Sequence, residues 1–272
     1  MKTVFNIPFS SDSDLVPDLL IEFGNNGVNL LFTSGDSKKI EGYQVFVFEE
    51  NENYQNSMDE IFKLISFGEN KVGKIKFTFN FKESILIPEN LYQKELDEEL
   101  IALMFGEDYN TVIQNDVISS KSIHNIYRLP ILLQNHLDKN QNNKASQHST
   151  SFQIKEVQKG SIIKCMVYHE MIKVLVYKEG SLQLVQYFNY TGPNDVTYHL
   201  LNICKQFYLN LSEVSLRLSG MIVKDSQLFQ SLYNSFLNID FMLPDNEIQL
   251  AESLNSLPLH FFSHLTELLS CE

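Results

Sequence analysis

IEFGNNGVNLLF (Ile21–Phe32) and CMVYHEMIKVLV (Cys165–Val176) can be laid on one another without a gap, hydrophobic residue on hydrophobic residue. Each reads as two apolar runs around a polar turn, the pattern of a β-hairpin. Asn25-Asn26-Gly27 supplies the first turn, because Asn and Gly tolerate positive φ. His169-Glu170 lies in the second.

Working outward, the same order of elements follows both hairpins. In the first half, Leu19–Phe23 and Val28–Thr33 lead through Ser34-Gly35-Asp36 to a third strand, Ile40–Phe48. A helix with a Ser57/Glu60 capping box carries Ile61, Phe62, Leu64 and Ile65. Ile75, Phe77, Phe79 and Phe81 then alternate with Lys76, Thr78 and Asn80, which makes a strand with one buried face. A longer helix is expected to open at Pro88 and stop at Gly106, with Leu96, Leu100, Leu103 and Met104 as its core stripe. Thr111–Ile118 and Asn125–Leu129 read as extended and Ile131–Leu137 as helical. In the second half, strands are expected over Ile162–Tyr168, Ile172–Tyr177 and Leu182–Tyr190. A helix capped by Asn194 or Asp195 follows, then the alternating Val214, Leu216 and Leu218. Gln227–Leu237 is expected to be helical, Asp240–Leu243 a strand, and Pro258 the start of a last helix.

The polar low point is DKNQNNKASQHST (Asp138–Thr150), read as a loop. The expected division is a first lobe over residues 1–158, including the polar loop 138–150, and a second over 159–272. The chain is thus an α/β protein with one β-β-β-α-β-α-β unit used twice.

Composition bounds the function. The 272 residues carry a formal charge of −13, which repels phosphate backbones and argues against nucleic-acid binding. No segment approaches the ~20 apolar residues of a membrane-spanning helix, and no direct membrane insertion is expected. Cys165, Cys204 and Cys271 are far apart with no C-x-x-C, which points to free thiols and a cytoplasmic location.

The repeated unit resembles the actin-like ATPase superfamily, in which two ribonuclease-H-like lobes hold nucleotide between them. More narrowly, VYHEMIKVLVYKEGSLQLVQYFNY (Val167–Tyr190) and LHFFSHLTELLSCE (Leu259–Glu272) are similar to an uncharacterised bacterial family, a domain of unknown function assigned that fold. The resemblance implies D-x-G in the first hairpin of each lobe, a Lys or Gln on the next strand, and paired glycines after the fourth strand. Here Glu22 stands for the aspartate, Gly24 matches, and Asn29 replaces the Lys or Gln. Met166-Val167-Tyr168 keeps neither aspartate nor glycine, and Ser219-Gly220-Met221 keeps one glycine of two. Phosphoryl transfer is mostly positioning and charge stabilisation around Mg²⁺, so these departures disfavour an ATPase.

Other constellations have plainer readings. Gly24-Asn-Asn-Gly27 reads as a tight hairpin before an anion cradle. His260, His264 and Glu267 share a helix face, expected as a solvated polar face and not a metal site. Nuclease chemistry would need carboxylates at the ends of the fourth strands, which have none. The expectation is a non-catalytic scaffold or adaptor acting through an unidentified protein partner, with no cofactor, no catalytic residue and no metal. The alternative is an ATP-binding protein with Mg²⁺, using Glu22, Gly24, Asn29 and Gly220, with weak or no hydrolysis.

Overall fold

The computed structural model describes residues 1–9, 16–34, 37–49, 54–69, 72–139, 144–155, 158–244 and 247–269. The chain divides into two units, Met1–Lys155 with Gln249–Leu254, and Glu156–Ile248 with Asn255–Glu272.

The first unit begins with β1 (Lys2–Ile7), β2 (Asp18–Gly24), β3 (Gly27–Thr33), β4 (Lys39–Val47) and α1 (Tyr54–Glu69). It continues through β5 (Ile75–Asn80), β6 (Ser84–Pro88), α2 (Asp97–Phe105), β7 (Thr111–Ile118) and β8 (Ile123–Pro130). α3 (Ile131–Lys139), β9 (Lys144–His148) and α4 (Ser149–Gln153) complete it. The main sheet has the order β1-β4-β3-β2-β5-β9, and β6-β8-β7 form a separate small sheet. The three-strand meander is antiparallel, while β5 runs parallel to β2, and β9 to β5. One face of this sheet buries Ile21, Phe23, Val28, Leu30, Phe77 and Phe79 against Ile61 and Phe62 of α1 and Leu133 of α3. These are the alternate positions that the sequence pattern marks as apolar.

The second unit repeats the plan with β10 (Ile162–Tyr168), β11 (Met171–Lys178), β12 (Ser181–Asn189), α5 (Pro193–Gln206), β13 (Ser215–Gly220), α6 (Gln227–Tyr233) and β14 (Asn238–Phe241). Its sheet order is β12-β11-β10-β13-β14, the same as β4-β3-β2-β5-β9. The registers match as well: Ile21 pairs with Leu30, and Cys165 with Val174. The gapless alignment of the two hairpins is therefore also a structural one. After β14 the chain adds β15 (Gln249–Leu250) parallel to β4 of the first unit, then returns to the second unit with α7 (Ser263–Thr266).

Several local expectations are corrected. Asn25-Asn26-Gly27 turns without positive φ, so the turn does not rest on left-handed residues. Gly27 is needed for a different reason: a Cβ there would sit 2.0 Å from the carbonyl oxygen of Phe46. Ser57 does not cap a helix, because α1 is already helical at Tyr54. Pro88 ends β6 and leads only into a single 3-10 turn, Glu89–Leu91, while the long helix starts later, at Asp97. The polar run 138–150 holds the end of α3, β9 and the start of α4. Its buried polar residues are satisfied mainly from outside the run, His148 by Asp116 and the Phe81 carbonyl and Ser149 by Asn80. Gly35 and Asp36 of the expected turn lie outside the described residues.

α2 departs furthest from its expected stripe. Ile101, not one of the four named residues, is the fully buried one, packed with Ile87 and Ile126 of the small sheet. Leu103 and Met104 are 78% and 63% exposed. Three isoleucines form this core, and Leu100, the one expected stripe residue that joins it, packs against them partly buried.

Candidate functional site

In the first unit the site positions lie at the sheet face opposite α1. Glu22 is buried, and the amide of Asn29 donates to its Oε2 at 2.9 Å. Tyr43 of β4 donates to Asn29 Oδ1 at 3.4 Å. Burial raises the Tyr43 pKa, and the Glu22 carboxylate raises it further. Three adjacent strands thus hold a closed chain, Tyr43 to Asn29 to Glu22. Gly24 sits beside Asn80 in the sheet register, and a Cβ at Gly24 would lie 3.3 Å from the Asn80 carbonyl oxygen. The C-terminal ends of parallel strands are where open α/β sheets bind ligands.

A second polar cluster in this unit was not marked by the sequence. Ser149 donates to Asn80 Oδ1 at 3.0 Å. Asp116 of β7 accepts from the His148 backbone N–H at 2.7 Å, from Ser151 at 2.7 Å and from Tyr127 at 3.2 Å. Burial raises the Asp116 pKa, opposed by these hydrogen bonds. His148 accepts at Nδ1 from Thr150 N–H at 3.2 Å, which leaves Nε2 as the donor to the Phe81 carbonyl at 2.9 Å. Both ring nitrogens are committed to backbone, so this Asp-His-Ser group is no relay for a nucleophile. It fastens β9 and α4 to β5 and the small sheet. The available signal was HSTS at residues 148–151, four small or polar residues that read as loop.

In the second unit the same face is different. Met166 pairs with Lys173 where Glu22 pairs with Asn29. Met166 and Lys173 are both buried, and Lys173 Nζ lies 5.4 Å from the Tyr187 ring centroid. Tyr168 occupies the position of Gly24. Gly220 has φ +81°, and a Cβ there would be 2.2 Å from the Val167 carbonyl oxygen. Strand geometry alone therefore requires glycine at Gly220.

The C-terminal segment covers this face and corrects the expected solvated face. His260 is buried, its Nε2 2.6 Å from the Ile222 carbonyl and its ring stacked 3.9 Å from Phe241. His264 stands edge-on to Tyr168 at 5.1 Å. Burial first, then the Lys173 charge, pushes the His264 pKa down to about 3. Glu267 lies 3.7 Å from the buried Lys164. Among the described residues no cluster of three His, Cys, Asp or Glu side chains could hold a metal ion.

Glu22, Gly24 and Asn29 come together within the first unit, and Gly220 belongs to the second. Cys165 and Cys204 are free and buried, and Cys271 lies outside the described residues. No described helix is long and apolar enough to cross a membrane.

With two sheets of one order in view, comparison with known proteins decides the relationship. Residues 8–239 match the family described as protein of unknown function, DUF3822. The chain belongs to that family. No curated protein sequence matches it. A Bacteroides thetaiotaomicron protein described as having an actin-like ATPase fold and unknown function superposes with a TM-score of 0.71 at 15% identity, covering 94% of this chain and 96% of that one. A chain of the PilM–PilN type IV pilus biogenesis complex gives a TM-score of 0.62 at 12% identity, covering 93% and 97%. This DUF3822 chain therefore has the actin-like ATPase fold, as its repeated unit implied.

Proposed function

We propose that the chain is a non-catalytic, cytoplasmic scaffold or adaptor that binds a protein partner through the exposed end of α2. The observation that carries this reading is the exposure of Leu103 and Met104, with Tyr109 exposed a few residues further along the chain. Apolar surface of this kind marks interaction sites. Glu95, Glu98, Glu99, Glu107 and Asp108 are exposed around it, so the partner it fits presents an apolar segment flanked by Lys or Arg. Arg128, bonded to Glu83 at 2.8 Å and to the Gly106 carbonyl, fastens the end of this helix. The PilM–PilN complex supports the reading by analogy of fold alone. The free thiols Cys165 and Cys204 accord with a reducing compartment.

The test is affinity capture from the native host with the intact chain and a Leu103→Glu/Met104→Glu variant. A partner retained at low salt and lost with the variant, while both chains melt alike, is the expected result. Equal retention by both, or none by either, overturns the reading.

A second reading, ATP with Mg²⁺ held by Glu22, Gly24, Asn29 and Gly220, draws on the Glu22–Asn29 pair beside Gly24. The residues fit it poorly. Glu22 is buried and already bonded, Met166 and Tyr168 fill the second hairpin, and the Val167 carbonyl crowds Gly220.

A further inference from the structure

The two units treat one sheet edge in opposite ways. In the first, the outer side of β4 is paired by β1 over Tyr43–Val47 and by β15 over Lys39 and Ile40. In the second, the matching strand β12 has no strand on its outer side among the described residues. Edge strands invite pairing and are ordinarily protected by charge, proline or shortness. β1, β9 and β14 each contain a charged residue, and β6 ends on Pro88. β12, Ser-Leu-Gln-Leu-Val-Gln-Tyr-Phe-Asn over 9 residues, has no charge and no proline. No side chain along it is buried. Its one irregularity lies between the pairs of Leu184 and Leu182, leaving Leu184–Asn189 regular.

We propose that β12 pairs antiparallel with β12 of a second copy of this chain, about a two-fold axis at Gln186. Strand pairing requires compatible neighbours on both faces, and this register supplies them from one sequence. Leu184 meets Phe188 on the face that already carries both against the α5 side of the core. Val185 meets Tyr187 on the other face, and Gln186 meets its own copy, where two exposed amides can bond. The symmetry is the isologous kind that closes a dimer. Each copy carries −13 of formal charge, so general repulsion opposes association and salt relieves it. This inference is independent of the α2 reading, which concerns the other unit.

The test is sedimentation equilibrium of the full chain at low and moderate salt, with Gln186→Lys and Gln186→Glu variants. The wild type is expected to dimerise, more tightly as salt rises. Either variant alone places like charges at the two-fold and should weaken the dimer about tenfold or more. An equimolar mixture of the two should restore pairing, because opposite charges then meet. A wild type that stays monomeric, a dimer indifferent to both charges, or variants that mixing does not rescue would each overturn the proposal. Slowed hydrogen exchange of β12 upon adding a host peptide to a monomeric chain would assign the edge to a foreign strand instead.

Discussion

β2–β3 and β10–β11 have the same strand order, direction and register, yet one sheet face is alike and the other is not. The shared face carries Ile21, Phe23, Val28, Leu30 in one unit and Cys165, Val167, Ile172, Val174 in the other. The opposite face carries Glu22 closed by Asn29 and Tyr43 in one, and Met166 beside Lys173 under the C-terminal segment in the other. The lesson is that the apolar face builds this fold, while the polar face is free to take up or lose chemistry. The two hairpins of this actin-like fold carry Glu22-Phe23-Gly24 in one unit and Met166-Val167-Tyr168 in the other.

Two glycines give the largest break in the comparison. Gly220→Ala forces a Cβ toward the Val167 carbonyl and a left-handed φ on alanine, and should destabilise by about 3 kcal/mol or more. Gly24→Ala brings its Cβ no closer than 3.3 Å to any neighbour, the Asn80 carbonyl oxygen, and should cost under about 1 kcal/mol. Urea midpoints of the two variants measure the difference. Next, Met166→Ala opens a cavity worth about 2–5 kcal/mol. Glu22→Ala leaves the Asn29 amide without its acceptor and should cost about 1–3 kcal/mol. A cost for Glu22→Ala near zero would mean that its pairing is incidental.

pH separates the units more gently. His264 is held neutral, with a folded pKa of about 3 against an ordinary 6.5. The unfolded chain binds its proton first, so stability is full above about 6.5 and falls toward pH 3, by up to about 1.4 kcal/mol per unit. The His260 pKa is also lowered, chiefly by burial, and adds to this slope in the same direction. Asp116 of the first unit runs the other way. Its raised folded pKa gives stability that is full below 3.8 and lost as pH rises through the folded value. His264→Leu should flatten the acid slope and Asp116→Asn should steepen it, read as stability against pH. The smallest effect is expected from Leu103→Lys on α2, within about 0.5 kcal/mol, because that side chain is exposed.

Sequence alone carried the two hairpins and the alternating β5 and β13, because the apolar runs and alternations that build these strands are written directly in the residues. It did not carry β1, β9 or β15. β1 is a short, partly exposed edge strand, β9 is polar, and β15 has two residues paired far along the chain. It placed His260 and His264 on a wet face, since a histidine buried against Phe241 or Tyr168 has the same spacing as an exposed one. The hairpin puts Glu22 opposite Asn29, but the closure of that pair depends on Tyr43, which no local pattern announces. The Asp116–Ser151 contact joins residues 35 apart and left no trace in the spacing.

The most direct test of a partner-binding chain without nucleotide chemistry is thermal denaturation with millimolar ATP or ADP, with and without Mg²⁺. A specific ligand at 100 times its Kd adds about 2.7 kcal/mol of stability. The account predicts no shift under any of these conditions. A Mg²⁺-dependent rise in Tm that Gly24→Trp abolishes would contradict it.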